Sequence, residues 1–476
     1  MHVDSLFIMK LCRTFAVIWL LTPVWVFAQD DFLFQRDFSK AEFAQRRTKV
    51  FAEIGPEAVA LLQGAPQPDD FGVFRQNNEF FYLCGIEVPQ AYLLLDGRSG
   101  KTNVYLPSPP GRGESEQAAG EYASSIKRLT GVDAVYGIEL LPEHLEKVPV
   151  LYTLLGSRRM GRAPVPGMAG VRRSEAIDLL RRDPLGQGRF VSLIRSCFGD
   201  MAIKDLSPVV DSLRFIKSPA EIELMRRAGE LAALAVIEAM RSTEIGVMEY
   251  QLDAVPKYIY RINGARGEGY PSIIAGGANM QEGHYQRKNC VLKDGDIVLM
   301  DHAPDYGYYT SDIGRIWPVN GKYSPWQREL YGFMVKYHKA IIKRIRPGVT
   351  ADQIMEEARA EMQKVLDGTT FSKPIYEKAA RSTYGHMSHT VGMNVHDVLN
   401  SRGPLKPGMV FAVDPQLRVR EENLYIRIED TVLVTESGVE ILTGRAPWEL
   451  DDVETLMKEK GILQKYPPAF PPGKMP

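Results

Sequence analysis

In the stretch GDIVLMDHAPDYGYYTSDIGRIWPV (residues 295–319), Asp301 and Asp312 lie eleven apart within apolar strand-like runs on either side of the turn signal Tyr306-Gly307. A turn centred on that dipeptide predicts a β-hairpin in which Asp301 and Asp312 are directly opposed. Opposed residues share one face, with Cβ atoms about 4.5 to 5.5 Å apart. Two carboxylates that close repel unless a proton or a cation lies between them, so the pair points to bound cations.

A second hairpin repeats the device. In MVFAVDPQLRVREENLYIRIEDTVLV (409–434), Asp414 and Glu429 are symmetric about the polar pair Glu421-Glu422, and pairing across that turn brings two more acids together. On the return strand Ile426 and Ile428 face one way while Arg427 and Glu429 face the other. Between the hairpins, GHMSHTVGMNVHD (385–397) holds three of the chain's eight histidines, His386, His389 and His396. Four carboxylates suit hard divalent ions, and an added imidazole favours manganese, iron, cobalt or zinc over magnesium or calcium. A two-metal site can activate a bridging water as nucleophile and stabilise the charge that forms on an attacked carbonyl.

Outside these segments, 476 residues exceed what one hydrophobic core supports, which predicts two domains. The boundary falls near Ile203 to Pro208. SPAEIELMRRAGELAALAVIEAM (218–240) then reads as a helix with Ser218 as its N-cap and Glu221 completing a capping box. Upstream, FFYLCGI (80–86) and AYLLLDG (91–97) read as strands; downstream, one long helical segment is expected near 325–366. The arginine-rich stretch 156–189 reads as a solvated loop and the tail PPAFPPGKMP as extended. Charged residues make up 25% of the chain and the net charge is −1, without the basic excess that nucleic-acid binding needs. Lys10 and Arg13 precede an apolar run from Phe15 to Ala28, the pattern of a secretory signal whose true start is Met1 or Met9. It predicts a periplasmic or secreted protein with no stable membrane anchor after cleavage. Of the four cysteines, Cys12 lies in that leader, and Cys84, Cys197 and Cys290 form neither a disulfide framework nor a CxxC zinc pattern.

At these residues the sequence resembles the creatinase/aminopeptidase P branch of the pita-bread metallopeptidases. LKDGDIVLMD, YYTSDIGRIWPV, SHTVGMNVHD, LKPGMVFAVDP and IRIEDTVLVTESG follow the family's five motifs in order. RRTKVFAEIG, FGVFRQNNEFFYLCGIE and AYLLLDG are similar to the non-catalytic domain that precedes the catalytic one in aminopeptidase P. The resemblance implies an α+β chain with a signal peptide at 1–28, an N-terminal aminopeptidase P-like domain at 29–205 and a pita-bread catalytic domain at 206–476. It implies two divalent ions, manganese first, held by Asp301, Asp312, His389, Asp414 and Glu429. His284 and His396 are implied to face the substrate, Asp414 to relay a proton, and Arg427 and His386 to support the site. The activity implied is hydrolysis of the N-terminal Xaa-Pro bond of proline-containing peptides, by a chain that could self-associate. A prolidase acting on dipeptides, a metal-dependent non-peptidase on the same scaffold and a metal-poor peptide-binding protein stand as alternatives. One departure is clear: the family's usual Glu-Pro-Gly reads Asp414-Pro415-Gln416 here. The carboxylate there reaches about 1.5 Å less far from the strand.

Overall fold

The structure, a computed structural model, describes residues 37–68, 72–107, 116–155, 187–383, 387–398 and 403–469. The apolar run Phe15 to Ala28, most of the arginine-rich stretch, His386 and the end of the proline-rich tail lie outside the described residues.

The first half is built on a mixed six-stranded sheet of β1 (Ala58–Gln63), β2 (Tyr92–Asp96), β3 (Lys101–Leu106), β4 (Ala134–Gly137), β5 (Val150–Thr153) and β6 (Ala202–Asp205), in the order β4-β3-β2-β1-β5-β6. Period-two alternation sorts its central residues into two apolar layers. Val59 and Leu61 enter one core with Leu94 and Tyr105. Ala58, Ala60 and Leu62 enter another with Leu93 and Leu95.

The second half begins with the helix Pro219–Ser242, and the expected capping box is present. The Ser218 hydroxyl accepts from the Glu221 backbone N–H, and the Glu221 carboxylate accepts from the Ser218 N–H at 2.8 Å. The strands that follow are β7 (Gly267–Glu268), β8 (Ile273–Gly276), β9 (Ile297–Asp301), β10 (Pro304–Asp305), β11 (Ile313–Pro318), β12 (Met387–Thr390), β13 (Val410–Val413), β14 (Gln416–Val419), β15 (Leu424–Arg427), β16 (Glu429–Val434) and β17 (Val439–Ile441). The larger sheet runs β12-β13-β16-β11-β9-β8, with β17 on β16; β14 and β15 pair apart from it, as do β7 and β10. No described helix is long and apolar enough to cross a membrane.

Three expectations need correction. FFYLCGI is no strand: Asn78–Cys84 is a helix, buried on every side and closed by Gly85 in the left-handed conformation (φ 69°). A short run that is apolar all round has no period from which strand and helix can be told apart. The segment 325–366 is two helices, Pro325–Ile342 and Ala351–Asp367, because Pro347 cannot continue the first and Gly348 turns the chain at φ 85°. The Asp301 hairpin turns one residue later than its glycine signals. Gly307 and Tyr308 both have positive φ, and Tyr306 pairs with Tyr309. Asp301 therefore faces Gly314, with Asp312 diagonally displaced by two residues on the same face.

The two halves share one apolar core, in which Phe43 and Phe81 meet Tyr308, Tyr309 and Val391. Tyr308 stacks on Phe81 with ring centroids 3.6 Å apart. Buried Arg214 joins Glu79 of the first half to Asp397 of the second. The segment carrying His396 is thereby tied to the N-terminal half.

Candidate metal centre

Five adjacent strands of the larger sheet each deliver one candidate residue to the same end of it. In spatial order these are His389 within β12, Asp414 just after β13, Glu429 at the start of β16, Asp312 just before β11 and Asp301 at the end of β9. The second hairpin holds the register its sequence symmetry predicts. Val413 pairs with Asp430 and Gln416 with Arg427, which sets Asp414 across from Glu429. Gly314 pairs with Glu429 on one side and Asp301 on the other. A Cβ there would lie 3.1 Å from the Glu429 Cβ and 3.4 Å from its Oε2, so glycine leaves the space the acids need. The Asp312 backbone is clamped by Thr431, whose hydroxyl accepts from its N–H at 2.6 Å and donates to its carbonyl at 2.9 Å.

All four carboxylates are buried. Arg427 lies among three of them: Nη1 donates to Asp301 Oδ2 at 2.7 Å, Nε to Asp414 Oδ1 at 3.0 Å and Nη2 to Glu429 Oε2, with Asp414 Oδ2 2.9 Å from Nη2. If all four acids ionise, this single guanidinium leaves three negative charges without compensation. Burial acts against the arginine's own charge, but Asp414 and Glu429 beside it hold its pKa well above the usual value. The carboxyls of Asp312 and Glu429 are pushed well above the ordinary range, first by burial and then by neighbouring acids. Glu429 Oε1 is buried and without a hydrogen-bond partner among the described residues. His389 Nε2 stands 3.5 Å from Asp312 Oδ2 and 4.0 Å from Glu429 Oε1. Burial lowers its pKa, which keeps the imidazole neutral and able to donate a lone pair. Ligand atoms of Asp312, His389 and Glu429 all lie within 4.8 Å of one another. An orphaned buried oxygen, a neutral imidazole and surplus negative charge fit divalent cations.

Tyr270, which sequence patterning did not single out, organises the other side. Its hydroxyl is 2.7 Å from Asp301 Oδ1 and 2.6 Å from Asp312 Oδ1. It has one proton for two acceptors, and burial with both acids alongside keeps it on the ring oxygen. Tyr270→Phe removes the hydroxyl that holds Oδ1 of both carboxylates and leaves Asp301 to Arg427. It is expected to weaken divalent-cation affinity about 10- to 100-fold, as loss of a group orienting metal ligands does. Titration of the metal-free protein with Mn²⁺ checks this, and unchanged affinity would make the contact incidental.

The remaining expected residues divide. The His396 ring packs against His389 with centroids 4.0 Å apart. His284 is exposed and makes no hydrogen bond or ion pair with the acids among the described residues. Its loop is pinned by buried Glu249, which accepts from the N–H groups of Gly276 and Cys290, from Asn279 and from the hydroxyl of neighbouring Tyr285.

Residues 223–436 match the profile of metallopeptidase family M24, and residues 43–150 that of the aminopeptidase P N-terminal domain. The Xaa-Pro aminopeptidase of Haemophilus influenzae is 32% identical over 446 residues, spanning 88% of this chain and 97% of that protein. The structure of Escherichia coli aminopeptidase P with the inhibitor Pro-Leu superposes with a TM-score of 0.71 at 28% identity, over 88% of this chain and 98% of that one. A zinc-substituted form of that enzyme with product gives 0.70 at 29% identity and the same coverage.

Proposed function

Because this chain belongs to metallopeptidase family M24 and carries the aminopeptidase P N-terminal domain, we propose that it removes the first residue from peptides whose second residue is proline. The observation that carries the reading is the convergence of Asp301, Asp312, His389, Asp414 and Glu429 from five neighbouring strands. These residues would hold two divalent ions; four carboxylates and an imidazole suit manganese, iron, cobalt or zinc, and the family resemblance puts manganese first. Bound there, such ions supply an activated water and polarise the scissile carbonyl.

The chain's own groups do the rest. Arg427 fixes Asp301, Asp414 and Glu429 and offsets part of their charge. Tyr270 holds Asp301 and Asp312 in one orientation. Asp414 would carry the proton from the attacking water to the proline nitrogen as the bond breaks. His396 beside His389, and His284 on its exposed loop, would donate hydrogen bonds to the carbonyl oxygen before proline. Lys10, Arg13 and the apolar run to Ala28 support a secreted or periplasmic location.

Purified protein loaded with Mn²⁺ is expected to release the first residue from Xaa-Pro-Yaa tripeptides. EDTA should bring the rate to background and Mn²⁺ should restore it. Cleavage confined to Xaa-Pro dipeptides would make it a prolidase instead. No release at full metal occupancy overturns the reading.

A further inference from the structure

The acid at position 414 differs from the other three in what holds it. Chain direction carries β13 through Asp414-Pro415 into β14, where Gln416 pairs directly with Arg427. Residues 414 and 416, two apart in extended chain, fall on one side of it. There the Gln416 Nε2 donates to Asp414 Oδ2. The same oxygen meets Arg427 Nη2 at 2.9 Å, and Oδ1 accepts from Arg427 Nε at 3.0 Å. Gln416 is half-buried, so water could solvate its amide; its side chain instead turns back onto the acid.

Two physical points give this contact a purpose. An aspartate has one torsion fewer than a glutamate and a shorter reach, so its carboxylate plane must be held from outside if it is to face the neighbouring acids. Arg427 meets both of its oxygens, through Nε and Nη2, but the same guanidinium also serves Asp301 and Glu429, and Gln416 adds a further donor to Oδ2. The amide is also neutral. A lysine or arginine at 416 would orient Asp414 while cancelling negative charge that bound cations need, whereas a glutamine orients it and leaves the charge intact.

We propose that Gln416 is a positioning residue for Asp414, and that the two act as a coupled pair, so that a longer carboxylate at 414 would depend less on the amide at 416. The assignment rests on the proposed metallopeptidase reading. Four proteins test it: wild type, Gln416→Gly, Asp414→Glu and the double variant, with Gln416→Ala as a control for backbone loosening. Mn²⁺ affinity is read from the electron paramagnetic resonance signal of free Mn²⁺, and kcat and KM from release of the first residue of an Xaa-Pro-Yaa peptide. Gln416→Gly and Gln416→Ala are both expected to weaken Mn²⁺ binding about tenfold and to lower kcat about tenfold, with KM within twofold. The double variant should bind and turn over at least about fivefold better than the product of the single losses predicts. Single variants matching wild type in Mn²⁺ affinity and kcat, or losses that simply multiply, overturn the assignment. If wild type cleaves no Xaa-Pro peptide, the functional reading fails, and the Mn²⁺ titration still decides whether Gln416 positions Asp414.

Discussion

Asp312→Asn is expected to lower kcat/KM at least about 10³-fold while making the metal-free protein more stable at neutral pH. The loss follows from position. Asp312 lies between His389 and Tyr270 and belongs to the trio whose ligand atoms fall within 4.8 Å of one another. An amide of the same shape offers no negative charge to a cation, and groups that act as one catalytic unit fail together. The gain in stability follows from the carboxyl's raised pKa, caused first by burial and then by Asp301. A carboxyl whose folded pKa exceeds its unfolded value contributes stability below the unfolded pKa and loses it as pH rises through the folded one. At pH 8 wild-type apoprotein bears that cost, and asparagine, which never ionises, does not. The difference in Tm between variant and wild type, both in EDTA, should therefore be positive at pH 8 and shrink toward pH 4. Glu429, shifted in the same direction, adds to the wild-type trend. Elemental analysis should find less than one metal per variant chain after manganese loading. Retention of a tenth of the activity, or a less stable apoprotein at pH 8, would contradict the placement of Asp312 at the centre of the site.

Arg427→Met should have the opposite effect on stability. Removing the guanidinium leaves Asp301, Asp414 and Glu429 buried without their shared partner. Deleting one member of a buried ion cluster costs about 3 to 5 kcal/mol, because the charges left behind remain desolvated. Urea unfolding in EDTA measures this loss. Saturating Mn²⁺ should recover part of it, since divalent cations supply the missing positive charge, and any ligand that binds only the folded state stabilises it. Arg427→Lys is expected to lie nearer methionine than wild type: an ammonium is a point charge and cannot bridge three carboxylates as a planar fork does. Equal stability of the methionine variant and wild type in EDTA would rule out this arginine as the counter-ion that the apo cluster needs.

The parts of the site that were legible in the sequence are those governed by local symmetry. The 409–434 hairpin could be registered from its ends because its polar turn, closed by Asn423 in the left-handed conformation, sits at the midpoint between Asp414 and Glu429. The 295–319 hairpin could not, because Tyr308 adopts positive φ as well as Gly307. A bulky aromatic gives no hint of that; its stacking on Phe81 and Arg75 holds it there. The error moved the partner by two residues and so preserved the face, which is why the acids still converge. Tyr270 carries no spacing signature, and its role exists only once distant segments are adjacent; Gln416 lies two residues from Asp414, but the sequence does not show that its side chain turns back onto the acid. The helix Asn78–Cys84 was hidden for a related reason: burial on all sides erases the period that distinguishes helix from strand.

The distribution of candidate ligands over five neighbouring strands has a bearing on biogenesis. These residues extend from Asp301 to Glu429 along the chain, and no two neighbouring strands by themselves bring the five together. A partly assembled sheet would present at most fragments of the site and hold a cation weakly. Tight binding of a cation at these residues would then require the whole sheet to have closed, and a chain with a slipped strand would hold one weakly.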